Sequence, residues 1–434
     1  MISVTRRDRA PIWRLAMTFL AIHGVYTAPA AEPVVINGSM VPALVGTPIA
    51  DLRMVNYQGI AIPFQVDEIT PGGEYVCPQG EMPNADSGNG RFDRQDEIVF
   101  LWEDAMAYQT ISGPGVPSCT SCVSKRITIT KGNETRYFWV SNNRKLPVSS
   151  VKYLSYDHER QYLKTPYYYA QFGRNRFHFI RAGVMDFETG RYCNLTNELR
   201  VVIALKALWG LLPITYTEEN IICSVKRYKA GPLRIIRCGD FYLKVGLGIK
   251  GSKAVVYQIC YPQLVKVPVR MSLPVRFKIF FSDAFIEMTP VLNKESSQFR
   301  FMVPSLDFVE KFSLKSVDTL IMTIPDKVYL VSDGVKGYGW ITQINVDSSK
   351  LSGSGYVLRR PSSRSGIAEC GFKMTVRDLP KGSYDIINWV FFSKNRIEEH
   401  KKELRAVLEP AVISTDSVTS TNLLISPGEL KRKK

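Results

Sequence analysis

The sequence predicts an all-β fold of antiparallel sandwiches, an N-terminal sandwich followed by a larger two-sheet β-domain, with few helices. Two observations carry this. Short runs of β-branched and aromatic residues recur along almost the whole chain, separated by clusters of Gly, Pro, Asn and Asp. Helical periodicity surfaces clearly only between Ser393 and Leu408, where Ile397, Leu404 and Val407 stand among charges. With 45% hydrophobic and 22% charged residues, the 434-residue chain has the makeup of a folded protein, which excludes disorder and collagen-like structure over most of its length.

In chain order, residues 1–30 read as a secretory signal peptide. Arg6, Arg7, Arg9 and Arg14 form a basic start, Leu15 to Ile22 an apolar stretch, and Ala28-Pro29-Ala30 a small-residue cleavage site before Ala31. The protein is therefore expected to be exported, to the periplasm or the cell exterior. No apolar run reaches the ~18 residues of a spanning helix, so no transmembrane span is expected after cleavage. An N-terminal β-sandwich is assigned to 31–150, with strands at Val34–Asn37, Ile60–Val66, Ile98–Trp102, Ile127–Thr130 and Tyr137–Val140. A larger β-sandwich or supersandwich is assigned to 175–393. Its expected strands include Leu199–Leu205, Ile221–Val225, Leu233–Ile236, Ala254–Ile259, Val275–Phe281, Gly371–Val376 and Tyr384–Phe392. The nearly apolar stretch Leu199–Leu212 carries Arg200 and Lys206 and ends at Pro213, so it reads as core strands or a core helix and not as a span. An amphipathic helix is expected over 394–412 and a flexible basic tail over 413–434, ending Lys-Arg-Lys-Lys.

All eight cysteines follow the signal peptide, and in an oxidising compartment an even count favours disulfides. If Lys229-Ala230-Gly231-Pro232 closes a hairpin symmetrically, Cys223 falls opposite Cys238, within bridging distance. Cys119-Thr-Ser-Cys122 sits in a Gly/Pro loop without the helix junction of a redox pair or the second ligand pair of a zinc site. It reads as a small loop disulfide, or as two cysteines paired elsewhere.

The segment from Asp86 to Glu97, DSGNGRFDRQDE, has the spacing of a calcium loop. With Gly90 as the turn glycine, oxygen donors fall at Asp86, Ser87, Asn89, the Arg91 carbonyl, Asp93, Asp96 and Glu97, and Phe92 turns inward. Ala85 stands where such loops begin with Asp. The alternative is an Asn/Gly/Asp turn with solvated acids. A structural calcium ion is thus expected as the cofactor.

Upstream, Pro63-Phe-Gln-Val-Asp-Glu68 ends a strand in two carboxylates, and Asp93-Arg-Gln-Asp-Glu-Ile-Val-Phe100 follows. Together they resemble a group of exported bacterial β-sandwich proteins with a "PxQVDE … NGRFDxxDEIVF" signature. Gly231-Pro232-Leu-Arg234 is a weaker echo of strand starts in β-supersandwich domains of carbohydrate-active proteins. The resemblance implies an exported β-sandwich protein with a calcium-like loop and no defined reaction.

For a ligand, the best surface is Tyr167 and Tyr169 interleaved with Arg174 and Arg176, since aromatic faces stack on sugar rings and Arg pairs with carboxylate or sulfate. The net charge of +16 falls to +13 without the signal peptide, which carries four Arg and one Asp. Such a chain is drawn to an acidic polysaccharide, lipopolysaccharide or a cell-surface protein, and in this compartment not to nucleic acid. A non-catalytic binding protein is the first reading. The second is a carbohydrate-active lyase or hydrolase of an acidic polysaccharide, with Asp67, Glu68, Glu103 and Asp104 as acids to consider.

Overall fold

The computed structural model describes residues 33–56, 59–107, 122–131, 133–173, 178–245, 249–250, 254–273, 276–304, 309–313, 319–322, 328–333, 335–344, 351, 354–360, 366–393 and 412–416. The signal-peptide stretch, Cys119, Arg174, Arg176 and the helix expected from 394 lie outside them, save for its last residue, Val412.

Among the described residues the chain forms four sheets, and the strand pairings are antiparallel. Two are small. Pro33–Asn37, Glu97–Leu101 and Gln65–Asp67 make a three-stranded sheet, and Arg53–Val55, Glu134–Ser141 and Ser124–Lys131 lie in a five-stranded one. Their facing side chains fill the N-terminal sandwich: Ile36, Ile98 and Phe100 meet Met54, Ile127, Phe138 and Val140, with the Phe100 and Phe138 rings 4.5 Å apart. Glu97–Leu101 is apolar at every position after its first because both its faces are covered. Ile98 and Phe100 enter this core, and Val99 packs with Val35 against Ile236, Ile259 and Leu264 of a larger sheet.

The larger sheets hold ten and eleven strands and pack face to face. Tyr168 stacks on Phe392 across them at 4.0 Å and its hydroxyl donates to the Tyr261 carbonyl, while Phe301 meets Tyr356 edge-on. The core runs on continuously from the N-terminal sandwich, joining Val34 through to Phe392.

Four expectations are corrected. The Leu199–Leu212 stretch is strand, one of the expected alternatives, but its end is exposed and not core. A 17-residue strand, Arg191–Ala207, ends in a turn at Leu208–Gly210, and Leu212–Tyr216 folds back beside it as a hairpin. Val412, expected to end the helix, and Ile413 to Asp416, expected as tail, form a strand that pairs its β-branched residues with Ser124–Lys131. The Cys223–Cys238 bridge does not form. The hairpin turn is Gly231–Arg234, since Ala230 pairs with Ile235, and a bulge follows at Val225/Arg227. Cys238 therefore faces Arg227 and Cys223 faces Phe241, and Cys238 is a free buried thiol. Cys122 is disulfide-bonded. Phe277–Phe280, expected in a strand, is one turn of helix leading into the Phe281–Leu292 strand.

Candidate functional site

The three sequence fragments that carry the resemblance converge on one buried cluster. Arg234, 1% exposed, is its centre. Its Nε donates to Asp67 at 2.7 Å, one terminal nitrogen to the Tyr261 hydroxyl at 2.8 Å, and the other to Glu97 at 2.5 Å. Lys229 Nζ lies 3.0 Å from the second Asp67 oxygen and also donates to the Val66 carbonyl. Gln65 donates its amide to Asp67 while its oxygen accepts from the backbone N–H groups of Leu233 and Arg234. The glycine of the Gly231-Pro232 turn is required by this approach, because a Cβ there would fall on the Gln65 amide. Tyr75 donates to Glu97, and the Tyr75 and Tyr261 rings flank the guanidinium at 5.4 and 5.6 Å. Burial pushes the Asp67 carboxyl up, but Arg234 and Lys229, with the Gln65 hydrogen bond, hold it below the usual carboxylate range. Asp67 and Glu97 are thus charge partners of a buried arginine, and the cluster clasps the N-terminal sandwich to the eleven-stranded sheet.

The Asp86–Glu97 loop is tied by backbone. Gly90 has φ +68°, Phe92 is fully buried as expected, and the Gly90, Phe92, Arg94 and Asp96 carbonyls accept from Ile49, Gly46, Ser39 and Gly38. The Asp96 carboxylate accepts from the N–H groups of Ile69 and Asp93, and Glu97 belongs to the arginine cluster. Asn89 bridges the Arg91 N–H and Asp93, while Asp86 and Ser87 stand exposed in a short turn. Glu68, on the opposite side of its strand from Asp67, receives the Asn89 and Gly90 N–H groups. Among the described residues no group of three or more acidic, His or Cys side chains is placed to share an ion. The Asp96 and Glu97 carboxylates thus already accept from protein donors, while Asp86 and Ser87 are exposed.

The outer face of the ten-stranded sheet carries the expected aromatic surface in altered form. Along Tyr168–Phe172, alternate residues point in and out. Tyr169 points out, and its ring lies 5.8 Å from Tyr162 in a stacked pair and 5.4 Å edge-on to Tyr192. Gly183, directly opposite, leaves the room for this ring, since a Cβ there would strike it. The Tyr169 hydroxyl donates to Asn194, Lys164 lies over the Tyr192 ring at 5.7 Å, and exposed Arg181 stands beside Tyr169. Burial pushes the Tyr169 and Tyr192 hydroxyls up to about 12, with Arg181 pulling Tyr169 back, so both stay neutral. Tyr167, by contrast, is buried. Tyr162, Lys164, Arg181 and Tyr192 were missed as site residues, although Tyr162 and Lys164 show the same alternation on the preceding strand.

Of the four acids considered for catalysis, Asp67 is neutralised and Glu68 caps the loop. Asp104 accepts from the Tyr153 hydroxyl at 2.6 Å, while its other oxygen is buried without a partner. Burial pushes its carboxyl up to about 6 against the Tyr153 bond. The folded state therefore favours the protonated acid, and stability is lost as pH rises from the ordinary Asp value through about 6. Asp104→Asn is expected to raise stability by about 2–3 kcal/mol above about pH 7 and to have no effect below about pH 4, read by thermal unfolding at the two pH values.

No protein-family model matches the chain, and no curated protein sequence matches it. Among solved structures it is similar to an alpha-mannosidase from Enterococcus faecalis V583, at 8% identity and TM-score 0.40, over 87% of this chain and 47% of that one. It is also similar to alpha-N-acetylgalactosaminidase NagBb from Bifidobacterium bifidum, at 7% and 0.38, over 57% and 38% of the two chains. The Slr1438 protein from Synechocystis sp. PCC 6803 matches at 10% and 0.33, over 57% and 98%. The chain thus spans about half the length of the mannosidase. Scores at this level carry no activity, substrate or family over to this chain.

Proposed function

We propose that this chain is an exported, non-catalytic β-sandwich protein that binds an acidic surface glycan on the face formed by Tyr162, Tyr169 and Tyr192. The observation that carries the reading is the juxtaposition on that face of three tyrosine rings with Lys164 and Arg181. Half-exposed aromatic rings offer apolar faces to sugar rings, neutral hydroxyls and the Gln171 and Asn194 amides offer hydrogen bonds, and the two cations select carboxylate or sulfate. The net charge, +16 for the full chain and +13 without residues 1–30, supports an anionic partner, whether acidic polysaccharide or lipopolysaccharide.

The test is retardation of the protein in gels containing acidic or neutral polysaccharides, at low and high salt. Retention in an acidic polymer that survives high salt is expected. Arg181→Gln, at an exposed position, and Tyr169→Ala are each expected to weaken it about tenfold. Retention unchanged in both variants overturns this site. Shortening of the polymer overturns the non-catalytic reading in favour of a lyase or hydrolase.

A further inference from the structure

At one end of the ten-stranded sheet the chain presents an apolar tip to solvent. The hairpin turn between Arg191–Ala207 and Leu212–Tyr216 exposes Leu208, Trp209, Leu211 and Leu212, with Trp209 91% exposed. Beside it, the turn of helix that precedes Phe281 exposes Ile279 and Phe280. The two turns are neighbours because Ala207 pairs with Phe281, and a Cβ on Gly210 would lie 3.4 Å from Ser282 Oγ. The hairpin turn is built against local preference: Leu208 and Trp209 have φ of +49° and +57°, where non-glycine residues are uncommon. Large apolar side chains are thus held outward on a strained turn instead of folding onto the sheet.

Exposed cations rim this tip. Lys206 precedes it, Arg276 and Lys278 line an open groove with Asp378, and Arg377 and Lys381 flank the same loop. Acids among the described residues here include Asp283, 3.7 Å from Lys206, and Asp378.

We infer that this end docks on an anionic phospholipid surface, with Trp209, Leu211 and Phe280 entering the interface and the lysines and arginines meeting headgroup phosphates. The chemistry of the tip selects a bilayer over a sugar. Four of its six large apolar residues are aliphatic, which suits acyl-chain contact, whereas a sugar site needs a flat ring among hydrogen-bonding groups. Apolar insertion and cationic attraction are the two components of interfacial binding, and both are present at one sheet end. The tip is separate from the tyrosine face, so the inference stands or falls independently of glycan binding.

The test is co-sedimentation of the full protein with vesicles of mixed phosphatidylglycerol and phosphatidylcholine, against phosphatidylcholine alone. Binding to the mixed vesicles is expected, falling about tenfold in Trp209→Ser and likewise in Leu211→Ser. Arg276→Glu with Lys278→Glu is expected to remove the preference for the anionic lipid. The melting temperature should not change in any of these variants, since all the positions are exposed. Equal vesicle binding by wild type and Trp209→Ser overturns the inference. So does loss of polysaccharide retention in Trp209→Ser without loss of vesicle binding, which would make the tip a sugar platform. A dimer in solution that Trp209→Ser dissociates, with no vesicle binding, assigns the tip to a second copy of the chain and likewise overturns it.

Discussion

Replacing Arg234 by methionine is expected to lower stability by about 3–5 kcal/mol at neutral pH. Methionine occupies much of the same space, so the loss is chiefly electrostatic. The change leaves Asp67, fully buried, with Lys229 and Gln65, and leaves Glu97 with the Tyr75 hydroxyl and the nearby Lys266. A buried carboxylate without its cation is among the most costly arrangements in a protein interior. The pH dependence distinguishes this cause from lost packing. In the native protein the Asp67 carboxyl is held below its ordinary range, so its pairing contributes stability above the ordinary Asp value and loses it as pH falls through the lowered one. The variant lacks that contribution and is relieved by protonation. Urea unfolding of the two proteins should therefore differ most near neutrality, with the gap narrowing in acid. A gap of the same size in acid would show that the cluster acts through packing.

Glu369→Leu is expected to cost about 2–4 kcal/mol. Glu369 is fully buried on the outer side of the ten-stranded sheet, beneath two arginines that both donate to it, Arg200 at 2.7 Å and Arg359 at 2.8 Å. Arg359 also pairs with Glu287, so the charges run across four adjacent strands. The cost is smaller than at Arg234 because the Arg200 and Arg359 side chains are 22% and 28% exposed and can turn toward water. The exposed pair Arg270–Asp385 supplies the contrast: at 75% and 51% side-chain exposure, Asp385→Ala should change stability by no more than about 0.5 kcal/mol. Urea unfolding of both variants reads the comparison. Equal effects would show that burial does not set the worth of these pairs.

The two buried clusters differ in what they join. The Glu369 cluster ties neighbouring strands of one sheet. The Arg234 cluster ties residues 65–67, 97 and 229–234, which belong to two different sheets, and so secures one sandwich to the next. Backbone N–H groups at Leu233 and Arg234 complete it, which is why Gln65, Gly231 and Pro232 belong to the same feature as the charges.

The all-β class and most of the strand positions in the N-terminal sandwich and the large sheets were legible in the sequence, because alternation and turn residues are properties of neighbours along the chain. Phe92 turning inward beside Gly90, and Asp67 and Glu68 taking opposite sides, were legible for the same reason. Partners were not. Nothing local tells Asp67 that its cation is Arg234, or shows that Asp96 and Glu97 also accept from Ile69, Arg234 and Tyr75 in distant segments. Cys223 and Cys238 missed each other because a hairpin turn displaced by two residues re-pairs every position along it. The tyrosine face needed four strands to be laid side by side before Tyr162, Tyr169 and Tyr192 could meet, and the exposed Trp209 tip lies in a stretch whose apolar composition alone reads as core. Periodicity is written in adjacent residues, but register, sheet order and the facing of one sheet on another are long-range contacts, and only the tertiary structure decides which side chains they bring together.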